Sequence, residues 1–168
     1  MPKTMKYSEE NTKALEGCKE CLDSLSYLLK REGCKLSAKH IQKGEIKVVD
    51  FEAFADEYQR GGDKKPRVDI IYALENNAIQ LVECKLRVDK PARLNNYQEE
   101  LMSKRNSSRE LCTSSFIDNS TIESTLFVIV NDPIEQVARS VIARQFPIKK
   151  KTPILRVMGV DSLLNEHF

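Results

Sequence analysis

The chain has 168 residues, of which 40% are hydrophobic and 31% are charged. A chain of this length buries roughly two-thirds of its unfolded surface, which predicts one compact domain spanning residues 1–168. Its charged fraction, and the lack of an apolar run near the ~18 residues of a membrane span, exclude a membrane protein and a wholly disordered chain. The net charge of +2 is too small to attract a polyanion by the overall field.

Five cysteines, Cys18, Cys21, Cys34, Cys84 and Cys112, form an odd and scattered set. This pattern, with no apolar signal region near the N-terminus, predicts reduced thiols and a cytoplasmic location. The Cys18-x-x-Cys21 spacing is compatible with a metal site, but no second such pair completes it. Both cysteines also continue an apolar helical stripe, which favours core packing. A four-cysteine iron–sulfur cluster, using every cysteine except Cys84, is a further alternative.

Apolar residues at helical spacing predict a first helix from Ser8 to Glu32, which ends before Gly33. The run Ile46–Val49 predicts a strand. The charged, glycine-containing segment Asp56–Pro66 then predicts an exposed loop.

Two β-rich runs, Val68–Leu74 and Ala78–Lys85, are separated by Glu75-Asn76-Asn77 and predict a β-hairpin. Helical spacing follows over Pro91–Cys112. The continuous apolar run Leu126–Val130 predicts a central strand that is covered on both faces.

The sequence Asp132-Pro133-Ile134-Glu135 carries the signals of a helix start. The helix that follows is expected to bury six apolar residues: Ile134, Val137, Ala138, Val141, Ile142 and Phe146. A last strand is predicted over Ile154–Val160, with Asp161 capping a short terminal helix. The order α-β-β-β-α-β-α-β predicts an α/β (α+β) fold with a mixed central sheet flanked by helices.

One cluster of ionisable residues stands out: Asp69 in the first hairpin strand, and Glu83-Cys84-Lys85 at the end of the second. The two-residue period of a strand places Glu83 and Lys85 on one face. A three-residue hairpin loop sets Asp69 opposite Glu83, whereas a two-residue loop sets it opposite Cys84. The sequence leaves both registers open.

Two facing carboxylates repel each other unless a cation neutralises them. Mg²⁺, with Mn²⁺ as an alternative, suits Asp69, Glu83 and the main-chain carbonyl of Cys84, because it prefers oxygen ligands. Lys85 is placed to hold the attacking water or to offset negative charge on phosphorus. The cluster therefore predicts metal-assisted hydrolysis of phosphodiester bonds.

Asp69, the hairpin and Glu83-Cys84-Lys85 together resemble the core motif of the PD-(D/E)XK nuclease superfamily, which includes restriction endonucleases, Holliday-junction resolvases and RecB-type nucleases. The resemblance covers residues 8–160 and implies a restriction-endonuclease-like core. It also implies that Asp69 and Glu83 are metal ligands and that Lys85 is the catalytic lysine. Val68 stands where the family name has proline.

Two further positions bear on this resemblance. Gln98 matches the glutamine of RecB-like members, whereas Met102 stands where they often have tyrosine. Many members also carry an acidic residue on the first helix. Of the candidates here, Glu16 and Glu20 point away from the apolar stripe, whereas Glu10 lies to one side of it. Position along the helix favours Glu20 and the helix face favours Glu10.

Basic residues near the motif, Arg67, Arg87 and Arg93 among them, are candidates for holding nucleic-acid phosphates. We therefore expect a magnesium-dependent endonuclease with DNA as its preferred substrate and no membrane partner. The alternative is a catalytically inactive nucleic-acid-binding or protein-interaction module on the same fold. A homodimer, the form of substrate and the biological pathway are left open by the sequence.

Overall fold

The computed structural model describes residues 5–15, 17–58, 65–116, 121–145 and 154–168. In these ranges a six-stranded open sheet follows chain order: β1 (Leu22–Ser24), β2 (Lys47–Asp50), β3 (Ile70–Ala73), β4 (Ile79–Cys84), β5 (Leu126–Val130) and β6 (Leu155–Gly159). Strands β1 to β4 pair antiparallel, and β4, β5 and β6 pair parallel. The protein is therefore an α/β protein with a mixed sheet.

Helices flank this sheet on both faces. They are α1 (Glu9–Lys13), α2 (Leu25–Arg31), α3 (Ala38–Lys43), α4 (Phe51–Tyr58), α5 (Gln98–Ser115), α6 (Glu135–Gln145) and α7 (Val160–His167). Short 3₁₀ turns cover Lys19–Cys21, Pro91–Asn96 and Asp132–Ile134. Among the described helices, none has the length and apolar character needed to cross a membrane.

Alternate residues of the strands pack into two separate hydrophobic cores, one on each face of the sheet. Ile71 and Leu81 belong to the core that contains apolar residues of α4, α5 and α6. Their neighbours Ile70 and Val82 belong to the core beneath α2 and α7. Because side chains alternate along a strand, Glu83 of β4 points to the same face as Leu81, towards the α5 side.

The predicted single helix from Ser8 to Glu32 is wrong. The chain forms α1, a 3₁₀ turn, β1 and α2 instead. Gly17 adopts a φ of +78°, which interrupts the helix, and the side chain of Ser24 accepts a hydrogen bond from Tyr27 N to start α2. The apolar stripe is nevertheless buried at Cys18. The predicted stop is confirmed, because α2 ends just before Gly33, whose φ is +107°.

The predicted strand Leu126–Val130 is confirmed with its ends unchanged, and the strands at 46–49 and 154–160 and the hairpin are found with shifted ends. The predicted helix over 91–112 is a 3₁₀ turn, Pro91–Asn96, followed by α5. The predicted loop Asp56–Pro66 is wrong at its start, because α4 continues to Tyr58. Residues 59–64 of that loop lie outside the described residues.

Helix α6 buries one face, as its periodicity predicts. Ala138, Val141 and Ile142 are buried, and Ile134 packs against the same core. Val137 is 56% exposed, so its predicted burial is wrong. Its side chain lies on the face of α6 that points away from the sheet. Phe146 lies outside the described residues.

The predicted cap of the terminal helix at Asp161 is also wrong. Gly159 is the N-cap of α7 and has no side chain that could accept a hydrogen bond from the first turn. Asp132, in the 3₁₀ turn after β5, does so instead: its Oδ1 accepts a hydrogen bond from Asp161 N at 3.1 Å. A Cβ atom on Gly159 would lie 2.3 Å from Asp132 Oδ1. Glycine is therefore required for this close approach.

The buried hydroxyl of Thr12 attaches α1 to the end of β3. Its Oγ1 donates to Ser8 O at 2.7 Å and accepts from Ala73 N at 3.0 Å. Thr12 is 0% exposed, so no water replaces a lost partner.

We predict that Thr12→Val lowers the free energy of unfolding by about 1–3 kcal/mol, because it leaves Ala73 N without a partner. Urea denaturation measures this change. The control is Thr113→Val, since Thr113 is exposed and its hydroxyl only donates to Arg109 O. An equal effect of both substitutions would contradict the role given to Thr12.

Candidate active site

The hairpin adopts the register that places Asp69 opposite Glu83. The ladder pairs Ile70 with Val82, and Asp69 precedes it by one residue. Asn77 adopts a φ of +67°, which closes the three-residue loop. In addition, Asp69 Oδ2 accepts a hydrogen bond from Cys84 N at 2.8 Å. The predicted residues Asp69 and Glu83 are thus brought together.

Both carboxyl groups are buried, with Asp69 4% and Glu83 1% exposed. Burial raises the pKa of Glu83 to about 9, helped by the hydrogen bond and the negative charge of Asp69 and opposed by Lys104. The Nζ of Lys104 lies 2.9 Å from Glu83 Oε2. This contact is an ion pair without hydrogen-bond geometry, so Glu83 Oε2 has no aligned donor in the described part of the chain.

Two lysines share one carboxylate beside this pair. Lys85 Nζ donates to Glu100 Oε1 at 3.0 Å, and Lys104 Nζ lies 3.4 Å from the same oxygen. Lys85 Nζ also lies 4.4 Å from the ring centroid of Tyr97. Burial opposes the charge of Lys104, but the negative charge of Glu83 outweighs it and raises the Lys104 pKa. The third predicted residue, Lys85, is therefore held in the same network.

A second group of acids adjoins Asp69. The carboxylate oxygens of Glu32, Glu52 and Asp69 lie within 4.8 Å of one another. Arg31 partly neutralises this group, with Nη1 2.6 Å from Asp50 Oδ2 and Nη2 3.3 Å from Glu32 Oε1. The positive charge of Arg31 thus lies beside these acids.

Of the first-helix acids that the sequence left open, Glu10 and Glu20 are exposed and are not part of this group, and Glu16 lies outside the described residues. Glu32, which follows α2, is the acid near Asp69 instead. Sequence reasoning missed Glu32 because the predicted helix was continuous, and missed Glu52 because α4 was not predicted.

Helix α5 supplies Lys104, which the sequence indicates only as one of several basic residues near the motif and not as the partner of Glu83. Its inward stripe runs through Leu101 and Ser108, and helical spacing places Lys104 between them. A charged residue on an otherwise inward-facing stripe is the signal that identifies Lys104.

Ser108 fixes the backbone ahead of Asp69. Its Oγ accepts a hydrogen bond from Val68 N at 2.9 Å, and Ser108 is 0% exposed. Proline has no N–H, so a proline at position 68 would lose this bond. Valine at position 68 keeps the N–H that this bond requires.

The three predicted nucleic-acid-binding arginines lie in different surroundings. Arg67 forms an ion pair with Asp56, and its side chain is only 15% exposed. Arg87 is exposed and donates from Nη2 to Arg31 O at 2.8 Å. Arg93 is exposed in the 3₁₀ turn Pro91–Asn96. Among these three, Arg87 contacts Arg31, which pairs with the acids Asp50 and Glu32.

The cysteines do not surround one centre. Cys18 and Cys112 pack in the core on the α5 side, whereas Cys34 and Cys84 pack in the core on the opposite face. The sheet therefore separates Cys34 from the partners that a four-cysteine iron–sulfur cluster needs. The predicted core packing of Cys18 is confirmed by its 0% exposure.

Comparison of the chain with models of protein families found no match. Searches among curated proteins and among solved structures likewise found no match.

We predict that Glu83→Gln stabilises the metal-free protein at high pH. The folded pKa of about 9 exceeds the ~4.3 of an unfolded glutamate, so folding favours the protonated side chain. That stabilisation is complete below about pH 4 and is lost as the pH rises towards 9. Because glutamine stays neutral, the variant is expected to be about 1–3 kcal/mol more stable than wild type at pH 8.

Urea denaturation in EDTA at pH 4.5 and pH 8 measures this difference. The gain should appear at pH 8 and nearly vanish at pH 4.5. Glu75→Gln is the control, since Glu75 is exposed in the hairpin loop and should give the same difference at both pH values. A loss of stability at pH 8 in Glu83→Gln would contradict the assigned direction.

Proposed function

We propose that this protein is a magnesium-dependent nuclease that hydrolyses phosphodiester bonds, with DNA as the preferred substrate, on a restriction-endonuclease-like core. The observation that carries this proposal is the pair of buried carboxyl groups of Asp69 and Glu83, with Lys85 in the adjoining charge network. Burial of acids is unfavourable for folding, and buried acids with a raised pKa are found preferentially at catalytic sites.

The topology around the pair supports the resemblance to the PD-(D/E)XK superfamily. Antiparallel strands β2, β3 and β4 are followed by α5 and by β5, which is parallel to β4. Asp69 precedes β3, and Glu83 lies near the end of the neighbouring strand β4. The two halves of the motif thus sit on adjacent strands of a mixed sheet, as the resemblance implies.

The residues present fit a small divalent cation. Asp69 and Glu83 offer carboxylate oxygens, and Glu83 Oε2 lacks an aligned donor among the described residues. In a strand, the N–H and C=O of one residue point to the same side. Since Cys84 N points to Asp69, its carbonyl oxygen is directed to the same side and offers a third ligand. An all-oxygen set suits Mg²⁺ or Mn²⁺.

When bound, such an ion supplies positive charge to the phosphate and to the attacking water. In hydrolysis, a water molecule loses one proton as its oxygen forms a bond to phosphorus, the bond from phosphorus to the leaving oxygen breaks, and the leaving oxygen takes up one proton, so the proton count balances. Lys85 offsets the negative charge that builds up on the phosphate oxygens. Glu100 and Tyr97 position the Lys85 ammonium group for that role.

We predict that Asp69→Asn and Lys85→Met each reduce metal-dependent cleavage by at least about 10²-fold, because each removes charge needed in the transition state. Cleavage is measured on labelled single-stranded, duplex and branched DNA and on RNA, with Mg²⁺, Mn²⁺ or EDTA. Lys90→Met, at an exposed position, is the matched control and should retain activity. If the folded wild type cuts nothing with either metal, the inactive binding module becomes the better proposal.

Lys104 allows a separate test of the metal site. Its ammonium group lies 2.9 Å from Glu83 Oε2, and this positive charge opposes a second cation at the same place. We predict that Lys104→Met binds Mg²⁺ about tenfold more tightly than wild type, as titration calorimetry at pH 8 measures. Lys90→Met should leave the affinity unchanged. Weaker binding by Lys104→Met would contradict this role.

A further inference from the structure

A cavity of about 670 Å³ opens at the carboxyl ends of the parallel strands. It is lined by residues that follow β4 (Leu86–Asp89), β5 (Asn131–Ile134) and β6 (Val160), and by Gly33–Lys35 after α2. In open α/β sheets this edge is the usual place for ligands. It is also the edge at which β4 ends.

One residue of the cavity lining is linked to the acids through Arg31. Arg87 lines the cavity and donates from Nη2 to the carbonyl of Arg31, whose guanidinium contacts Asp50 and Glu32. Gly33 makes room for this contact, because a Cβ atom there would lie 2.7 Å from Arg87 Cγ. The acids of the candidate site, Asp69 and Glu83 included, do not themselves line the cavity.

The lining combines three kinds of surface. Arg87 and Lys35 are exposed cations, which suit a phosphate. Pro133 is exposed and Ile134 is half-buried, and together they provide an apolar surface for a planar ring. The carboxylates of Asp89 and Asp132 also line the cavity; they repel phosphate and accept hydrogen bonds from amino groups, with Oδ1 of Asp132 already engaged by Asp161 N. Phosphate, apolar ring and amino group are the parts of one nucleotide.

We propose that this cavity binds one unpaired nucleotide of a nucleic-acid strand, with its base in the cavity and its phosphate at Arg87 and Lys35. The inference rests on the proposed nuclease function and specifies its substrate class. A volume of about 670 Å³ is that of a small-ligand site. A base enters such a site only when it is outside a paired stack, so the substrate is single-stranded or locally unpaired.

Fluorescence anisotropy in EDTA tests this inference without cleavage. The probes are a labelled single strand, the same strand fully paired in a duplex, and that duplex with one extra unpaired nucleotide. The two probes with an unpaired nucleotide should bind at least about tenfold more tightly than the full duplex. Arg87→Gln should weaken their binding about tenfold through loss of a charged phosphate contact.

Arg144→Gln is the matched control, because Arg144 is an exposed arginine of α6 that does not line the cavity. Lys35→Gln is a second cavity variant and should also weaken binding of the unpaired probes; its side chain is exposed, so the substitution should leave the fold intact. Equal binding of paired and unpaired probes, or equal losses in the Arg87 and Arg144 variants, would overturn the inference.

The outcomes separate this inference from the nuclease proposal. Metal-dependent cleavage that is lost in Lys85→Met, without any preference for unpaired probes, would retain the nuclease and reject the nucleotide cavity. A preference for unpaired probes that depends on Arg87, without cleavage under Mg²⁺ or Mn²⁺, would retain the cavity and reject the nuclease.

Discussion

The close approach of two buried carboxyl groups, Asp69 and Glu83, is the constraint on which the rest of this structure depends. Taking carboxylates out of water and placing them side by side is unfavourable unless hydrogen bonds and opposite charges compensate. The fold compensates in part, through Cys84 N on Asp69 and Lys104 beside Glu83. The compensation is incomplete, which is why the pKa of Glu83 rises to about 9.

Helix α5 links the fold to this constraint. The parallel pairing of β4 and β5 requires a crossover, and α5 lies within that crossover, with its inward stripe against the sheet. The stripe carries Leu101 for the core, Ser108 for the backbone of Val68 and Lys104 for Glu83. The same helix therefore stabilises the sheet and sets the charge balance of the site.

The sequence was most informative where a feature depends on neighbours along the chain. Strand runs and the pairing of Asp69 with Glu83 within one hairpin are local, and a single residue with positive φ, Asn77, selects between the two registers left open. The prediction of one long first helix was wrong because the same apolar residues can be buried by shorter elements, with the chain turning at Gly17. Glu32 reaches Asp69 only through the packing of α2, which periodicity does not specify.

The cations near the acids are already engaged in the metal-free protein. Arg31 is paired with Asp50, Lys104 with Glu83, and Lys85 with Glu100. Under the proposed function, an incoming phosphate therefore meets acids whose charge must be balanced before these cations can attract it. Under the same proposal, a divalent ion at Asp69 and Glu83 would provide that balance and would release Lys104 from its partner. Because such coupling is reciprocal, a bound phosphate would also strengthen the hold on the ion, so that metal and substrate would favour each other's binding.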